Sequence, residues 1–362
     1  MILDTLSIIN FKNIADEQLK LSEQVNCFVG DNGAGKTNIL DAVHYLALAR
    51  SMHTITDAQS VRHSEDAFLL DGRFRRDDGR PEQVVCSYTR RGGKTLKRNG
   101  KEYERLSEHV GGFPIVVVAP ADSALISDSA EERRKYVNRF ISQIDRGYMA
   151  QLIRYNTTLQ ERNRLLKANP SEEMLLIYDG MLSASADVLF KRRQEVIAQM
   201  RPIVEEYYAM LSDERETIGM EYRSELQNST LAELLLASRK RDFINEFTTV
   251  GVHRDDVLFS IGGYPLRKFG SQGQQKSFLI ALKLAEYRLL AERVGDKPIL
   301  LLDDLFDKLD MRRVSQLLRL VGGEMFGQIL ITDCNKHRLQ RTLSEAGVEY
   351  ELFHIAEGHA TL

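Results

Sequence analysis

The chain has 362 residues, of which 43% are hydrophobic and 28% are charged, a composition that can build an ordinary globular core. Its formal net charge is −3, so a nucleic-acid partner would have to meet a local basic patch. The three cysteines lie far apart in the sequence, which argues against a zinc site or a disulfide framework and favours a reducing compartment.

The first 120 residues predict strands around a helix. Residues 1–29 alternate as strands do and carry neither the basic nor the long apolar region of a signal peptide. Residues 36–50 repeat apolar side chains at helical spacing, and residues 67–105 indicate a β-meander with a tight turn at Asn99-Gly100. The longest apolar runs are much too short to cross a bilayer, so we expect a cytoplasmic protein with no membrane partner.

The remaining sequence changes from a helical to a mixed pattern. From about residue 131 to 247 the apolar spacing is that of long helical runs, with Pro202 as an expected boundary or kink. Short apolar runs at 298–303 and 328–332 predict fully buried strands of the parallel kind. Helices are predicted beside these strands, over Gln272–Val294 and Arg312–Val321.

This order of elements predicts an α/β protein with two regions. Residues 1–120 and 248–362 are expected to form one discontinuous domain, in which helices flank a mixed sheet. Residues 121–247 are expected to form an inserted helical lobe of short antiparallel helices.

A glycine loop joins the predicted strand that ends at residue 29 to the helix that follows. Its sequence, GDNGAGKT, matches the phosphate-binding pattern G-x-x-x-x-G-K-[ST] in the required strand–loop–helix context. Glycines let backbone N–H groups wrap a phosphate, and the helix adds its positive end. Lys36 would reach the β- and γ-phosphates, and Thr37 would hold Mg²⁺. The alternative is a chance glycine turn, which this context disfavours. The predicted nucleotide-binding residues here are Gly30, Asp31, Asn32, Gly33, Ala34, Gly35, Lys36 and Thr37.

Two carboxylates follow the apolar run at 298–302. Asp303 is the candidate for the Mg²⁺ shell, and Asp304 is the candidate to orient or deprotonate the attacking water. The alternative is a solvated strand end or a helix cap, and the glycine loop favours the functional interpretation. Because Lys36 and Asp303 are far apart in sequence, an insert lies between the two motifs, as in heads of the ABC type.

A polar turn opens the helix predicted from residue 272. The stretch Ser271-Gln272-Gly273-Gln274 is similar to the ABC signature, in which hydroxyl and N–H groups at a helix start can bind a γ-phosphate. Alone such a stretch is usually a polar turn with a cap, but it precedes the acidic strand at the spacing of an ABC head.

Three further stretches carry a resemblance to one family. They are Leu6–Asn13 (LSIINFKN), Leu159–Lys167 (LQERNRLLK) and Gly251–Asp256 (GVHRDD). With the motifs above, the chain resembles the RecF family of ABC/SMC-type ATPases from end to end. The resemblance implies a P-loop ATPase head of the ABC/SMC type, and the insert is too short for the coiled-coil arm of an SMC protein.

The resemblance also implies a function. The expected cofactors are ATP and Mg²⁺, with Lys36 and Asp304 catalytic and with Lys12, Asn38 and Thr332 as further nucleotide contacts. The signature would face the nucleotide of a second copy, so ATP would join a homodimer. The dimer would bind duplex DNA near single-strand gaps, hydrolyse ATP weakly under DNA stimulation, and act with RecR and RecO to help load RecA.

The sequence departs from the family pattern at several positions. Val252 stands where proline is usual, and Ala121 stands where an acidic residue is common. Thr332 occupies the place of the ABC switch histidine, and Asp304 replaces the longer glutamate of ABC transporters. The shorter carboxylate predicts slow turnover.

Basic residues cluster around the Asn99-Gly100 turn. Such a patch could hold DNA phosphates without reading bases, and the alternative is a solvated charged hairpin. The candidate DNA contacts are Arg90, Arg91, Lys94, Lys97, Arg98 and Lys101.

Other classes of function fit less well. A transporter ATPase subunit would carry a switch histidine and an LSGGQ signature, which this sequence lacks. The alternative is a nucleotide-gated scaffold, or another ABC-type ATPase that does not bind DNA. The Asp303–Asp304 pair argues for hydrolysis and therefore against a scaffold that does not hydrolyse ATP.

Overall fold

The computed structural model describes residues 1–53, 56–168, 170–212, 216–304 and 311–361. Its strands are β1 Ile2–Phe11, β2 Ile14–Lys20, β3 Val25–Val29, β4 Ala67–Arg75, β5 Pro81–Thr89, β6 Gly93–Arg98, β7 Lys101–Glu102, β8 Ile115–Val118, β9 Ile218–Arg223, β10 Asp256–Ile261, β11 Tyr264–Pro265, β12 Ile299–Leu302, β13 Ile329–Asp333, β14 Tyr350–Ala356 and β15 His359–Thr361. Its helices are α1 Lys36–Leu48, α2 Ala124–Ser127, α3 Ala130–Ile144, α4 Arg146–Lys167, α5 Glu172–Ser212, α6 Leu231–Asn245, α7 Leu266–Phe269, α8 Gln272–Val294, α9 Met311–Val321 and α10 Lys336–Ala346. Within these residues, none of the helices combines the length and the apolar character that a bilayer span requires.

The chain divides into two compact units. Unit 1 contains Met1–Asp122, Met210–Asp213 and Gln272–Leu362, and unit 2 contains Ser123–Ala209 and Glu214–Ser271. The first boundary lies close to the predicted one, but the segment 248–271 belongs to unit 2 instead of the ATPase domain. The reason is that β10 pairs antiparallel with β9 along its whole length, a long-range contact that local sequence does not reveal.

A six-stranded sheet in unit 1 has the order β15-β14-β3-β13-β12-β8 and is parallel except for β15. As predicted, β12 and β13 are both buried throughout. They pair through Leu302 and Ile331, and Ile331 in turn pairs with Cys27 of β3. The carboxyl ends of these strands therefore meet at one edge of the sheet, where ligands bind in open α/β folds.

The second sheet of unit 1 is antiparallel, with the order β2-β1-β4-β5-β6-β7. It confirms the predicted meander, and Asn99 (φ 50°) and Gly100 (φ 79°) form the tight turn between β6 and β7. One hydrophobic core joins β1, β4 and β5 to α1 and to the parallel sheet. Because α1 packs among both sheets, nearly all of its side chains are buried, which fixes where its amino terminus lies.

Unit 2 contains α2–α4, α5 as far as Ala209, α6, α7 and a three-stranded sheet with the order β11-β10-β9. The prediction of short helices was wrong for α5, which has 41 residues and continues through Pro202. Leu182, Leu189 and Val196 precede the proline at seven-residue spacing and are buried, and this apolar stripe packs the helix into the unit.

Candidate functional site

The glycine loop between β3 and α1 has a conformation that requires its glycines. Gly33 (φ 83°) and Gly35 (φ 117°) lie in the left-handed region, which costs other residues free energy. At Gly30 a Cβ atom would lie 2.1 Å from the carbonyl oxygen of Ile355, closer than any side chain permits. The sequence motif therefore reflects both backbone conformation and close packing.

Lys36 opens helix α1 and is buried against the loop. Its Nζ donates to the carbonyl oxygen of Gly30 at 2.7 Å and to that of Asp31 at 2.8 Å. An ammonium group beside the positive end of a helix makes this part of the loop suited to an anion.

A network of hydrogen bonds joins the helix start to the ends of β12 and β13. Thr37 donates from Oγ1 to Asp303 Oδ1 at 2.8 Å, and Thr332 donates from Oγ1 to the same oxygen at 2.7 Å. The backbone N–H of Asp304 donates to Thr332 Oγ1 at 2.9 Å. Asp303 is buried, while Asp304 is exposed with a left-handed φ of 49°. The two predicted carboxylates are thus held together but face different surroundings.

These groups surround a cavity of about 200 Å³. Its walls are formed by Asn32, Gly33, Gly35, Lys36, Thr37, Asn38, Asp303, Asp304, Thr332, Asp333 and Cys334. Gly30, Asp31 and Ala34 shape the loop without lining the cavity. Asp333 and Cys334 were missed as lining residues, although their place at the end of a buried strand could have indicated them.

Two residues near the loop differ from expectation. Lys12, predicted to contact nucleotide, instead forms an ion pair with buried Asp41 at 2.5 Å and does not line the cavity. Asn13, which had no predicted role, donates from Nδ2 to the carbonyl oxygen of Gly33 at 3.2 Å. Asn38 in turn donates to Asn13 Oδ1 at 2.7 Å, so Asn13 links the loop to helix α1.

The oxygen atoms at the cavity wall fit a magnesium ion. Mg²⁺ in nucleotide sites takes one or two protein oxygens and completes its shell with water and phosphate oxygens. The Thr37 hydroxyl and the Asp303 carboxylate are such oxygens, and they lie 2.8 Å apart at the cavity wall.

The signature residues lie apart from this cavity. Gln272, Gly273 and Gln274 begin the 23-residue helix α8 in unit 1, and Ser271 precedes them at the end of unit 2. None of the four lines the cavity, and Ser271 and Gln272 are exposed. An exposed helix start is the arrangement that a contact with another molecule would need.

Known proteins resemble the chain along its whole length. A family model described as "RecF/RecN/SMC N terminal domain" matches residues 2–355. The DNA replication and repair protein RecF of Bacteroides fragilis (strain YCH46) is 43% identical over 99% of this chain and 97% of its own. The RecF of Porphyromonas gingivalis (strain ATCC 33277) is 41% identical over 99% of each chain.

The chain belongs to the RecF family. Its fold agrees with a solved structure of the recombination mediator protein RecF-ATP in the RecFOR pathway, with a TM-score of 0.89 and 30% identity over 99% of this chain and 97% of the other. An Smc head bound to the C-winged helix domain of ScpA shares the fold, with a TM-score of 0.60 and 14% identity over 100% and 96% of the two chains. The predicted ABC/SMC-type head is confirmed.

In this RecF-family chain, the GVHRDD stretch builds a buried polar network within unit 2. Asp255 accepts hydrogen bonds from Arg193 at 3.0 Å and from the Tyr222 hydroxyl. Burial raises the pKa of the Asp255 carboxyl, against the lowering effect of Arg193. Tyr155 Oη and His253 Nδ1 lie 2.8 Å apart, and burial lowers the pKa of His253 to about 4. These side chains serve the packing of unit 2.

The LQERNRLLK stretch, also in unit 2, contributes a second buried network. Arg162 is fully buried and pairs with Asp179 at 2.7 Å and with Asp242 at 2.9 Å. It also donates to the Thr248 hydroxyl at 2.8 Å. Both of these motifs thus place charged side chains, Asp255 and Arg162, in buried networks inside unit 2.

The candidate DNA contacts do not form one basic surface. Side chains alternate between the faces of a strand, so Lys94 and Arg98 share the face of β6 that carries buried Leu96. Lys94 pairs with Asp57 at 3.0 Å, and Arg98 donates to Glu82 at 2.8 Å. The Arg98 guanidinium lowers the pKa of Glu82 to about 2.

The other members of the patch are more accessible. Arg91, Lys97 and Lys101 are exposed. Arg90, also exposed, donates to the carbonyl oxygen of Glu65 at 3.2 Å. The structure therefore divides the predicted patch into accessible cations and cations that bind neighbouring carboxylates.

Proposed function

We propose that this RecF-family chain is an ATP-switched DNA-binding protein that acts in the repair of gapped DNA. ATP binding would join two copies, the dimer would hold duplex DNA next to a gap, and hydrolysis would release it. The hydrogen-bonded set Thr37, Asp303 and Thr332 beside the glycine loop carries this proposal. It supplies the groups that nucleotide binding and hydrolysis need, in one cavity.

The proposed roles follow from the positions of the groups. Lys36 would neutralise the β- and γ-phosphates, while the N–H groups of the loop bind their oxygens. Asp304, exposed at the cavity, would orient the attacking water or accept its proton. As an aspartate it reaches less far than a glutamate, which favours weak ATP hydrolysis, stimulated by DNA.

Thr37 and Asp303 would hold the Mg²⁺ ion, with Thr332 fixing the carboxylate through its hydrogen bond to Oδ1. When bound, the ion supplies positive charge that offsets the charge developing on the transferred phosphoryl group. Thr332 would act through Asp303 and the Asp304 backbone, since its hydroxyl is committed to both.

The second half of the proposal concerns partners. The exposed start of α8, with Ser271 before it, would bind the γ-phosphate held by a second copy. Dimerisation would thus depend on ATP. Duplex or gapped DNA would be the ligand of the dimer, with Arg91, Lys97 and Lys101 as candidate phosphate contacts. By its family, the protein would work with RecR, and with RecO and RecA downstream.

Binding to gapped duplex DNA at fixed salt tests the proposal. It is measured with ATP, with ADP and without nucleotide, while light scattering follows the mass of the complex. ATP should drive both dimerisation and DNA binding of the wild type, Lys36→Ala should abolish both, and Asp304→Asn should hold the dimer on DNA. DNA binding that ignores nucleotide, with no dimer, would contradict the DNA part. ATP-dependent mass change without DNA binding would favour the nucleotide-gated scaffold.

A further inference from the structure

The carboxyl-terminal hairpin β14–β15 lies against the glycine loop, although more than 300 residues separate them in sequence. Its turn consists of Glu357 and Gly358, both with positive φ, and Ala356 pairs with His359 across it. We infer that Gly358 and Asn13 are positioning residues that fix the loop in its phosphate-binding shape. This inference rests on the proposed nucleotide site and assigns it two residues outside the recognised motifs.

The hairpin touches the loop at both ends. Gly358 donates from its backbone N–H to the carbonyl oxygen of Ala34 at 2.8 Å. The carbonyl of Ile355 packs against Gly30 so closely that no Cβ fits there. At the other end, a Cβ on Gly35 would lie 3.3 Å from the Cα of Gly358. The loop therefore packs against the hairpin at its first and last glycines, Gly30 and Gly35.

Asn13 holds the same loop from the turn between β1 and β2. It donates to the carbonyl oxygen of Gly33 and accepts from Asn38. Its backbone carbonyl faces Gly358, where a Cβ would lie 2.9 Å away. Asn13 and Gly358 are thus packed against each other, and together they contact the glycine loop at Gly33, Ala34 and Gly35.

These contacts favour phosphate binding because they fix carbonyl groups. In a peptide unit the carbonyl and the following N–H point in opposite directions, so the bond from Gly358 to the carbonyl of Ala34 turns the N–H of Gly35 away from the hairpin, where it can bind an anion. Asn13 holds the carbonyl of Gly33, while the N–H of Ala34 donates within the loop to the carbonyl oxygen of Asp31 at 3.2 Å. A loop fixed in advance loses less conformational entropy when it binds. The hairpin should therefore influence nucleotide affinity more than it influences folding.

Gly358→Ala tests the inference, with Gly347→Ala as a matched control. Both glycines have a left-handed φ, +84° and +70°, but a Cβ on Gly347 would meet nothing within 4 Å. Each variant thus suffers the same backbone strain, and only Gly358→Ala presses on Asn13. Asn13→Ala is the second variant, because it removes the hydrogen bond to Gly33 in the loop and the one from Asn38 without adding bulk.

The readouts are the Kd for ATP with Mg²⁺, by calorimetry, and the melting temperature without nucleotide. Gly358→Ala should raise the Kd about tenfold, and Asn13→Ala about threefold to tenfold. Gly347→Ala should keep the wild-type Kd, although its backbone strain should lower the melting temperature too. Equal Kd values for Asn13→Ala and the wild type would overturn the inference, as would equal values for the two glycine variants. Failure of the wild type to bind ATP would instead overturn the proposed function.

Discussion

The hydroxyl of Thr332 donates a hydrogen bond to Asp303 Oδ1 at 2.7 Å and accepts one from the backbone N–H of Asp304 at 2.9 Å. One side chain from β13 thereby orients both acidic residues that follow β12. The second bond also supports the left-handed backbone of Asp304, which has φ 49°, a conformation that costs a non-glycine residue free energy. Thr332 stands where ABC heads usually carry a histidine, and its contacts suit a positioning role.

Replacing Thr332 by alanine should slow ATP hydrolysis. The change removes the bond to the carboxylate and the acceptor for the Asp304 N–H, so kcat is expected to fall about tenfold or more. The KM for ATP should change little, because the loop and Lys36 are untouched. Thr332→Ser keeps the hydroxyl and should recover most of the rate. Steady-state kinetics separate the two constants, and a serine variant as slow as the alanine variant would contradict the role given to the hydroxyl.

The basic residues near the Asn99-Gly100 turn should divide into two classes. Lys97→Ala, which removes an exposed cation, should weaken DNA binding and reduce the slope of log K against log salt by about 1. Arg98→Ala should instead destabilise the protein, since buried Glu82 would lose its main partner. Salt titrations of DNA binding and thermal melts of both variants provide the comparison. If Lys97→Ala changes neither DNA binding nor the salt slope, this strand does not contribute to the DNA-binding surface.

The division between what sequence predicted and what it missed follows the range of the interactions. The buried strands β12 and β13 were predicted because continuous apolar runs are typical of parallel strands. The helix after the loop and the Asn99-Gly100 turn were predicted from equally local signals. In each case the residues that determine the structure are neighbours in sequence. That Asp303 and Thr37 lie close together was predicted from their motifs, an acidic strand end and a glycine loop that both serve a phosphate site.

What the sequence did not reveal concerns partners that are distant in sequence. Lys12 has the charge of a phosphate ligand, and its nucleotide contact stays a prediction, but its ion pair with buried Asp41 was not predicted. The segment 248–271 joins unit 2 because β9 pairs with β10, and nothing near residue 248 indicates that pairing. The support of the glycine loop by Gly358 was also missed, because glutamate is not among the residues favoured before glycine in a two-residue hairpin turn. A local sequence pattern can predict a turn, but it does not predict the surface against which the turn packs.

Arg162 should be essential to the stability of unit 2. It is fully buried between Asp179 and Asp242. Arg162→Met would remove the cation that buried Asp242 binds, while Asp179 would keep its ion pair with Arg239. The expected loss in the free energy of unfolding is about 3–5 kcal/mol. Arg164→Met serves as the control, because Arg164 lies on the same helix in an exposed pair with Glu161 and should melt like the wild type. Denaturant unfolding measures both, and similar values for the two variants would contradict the importance of burial.

His253 should make the protein less stable as the pH falls. Burial lowers its pKa from an ordinary 6.5 to about 4, so below pH 6.5 the unfolded chain binds a proton that the folded protein does not. The contribution of His253 is therefore complete above pH 6.5 and is lost on the way down to pH 4, with about 2 kcal/mol gone by pH 5. Burial raises the pKa of Tyr155, so its hydroxyl stays protonated and donates a hydrogen bond to His253 Nδ1. The proton of the neutral His253 ring is then on Nε2, which donates to the Thr248 carbonyl at 3.0 Å.

Replacing His253 separates its contribution to the pH dependence of stability from that of the other histidines. His109 is also buried, and its pKa is lowered to about 4, so the wild type should lose stability from both sites over the same range. His253→Asn offers an amide that can still bond Tyr155 but cannot titrate in this range. Urea unfolding at pH 7.5 and at pH 5 should show a smaller loss for the variant than for the wild type, by about 2 kcal/mol. An equal loss in both proteins would mean that His253 is accessible to protons in the folded state, and that the Tyr155–His253 bond does not persist in solution.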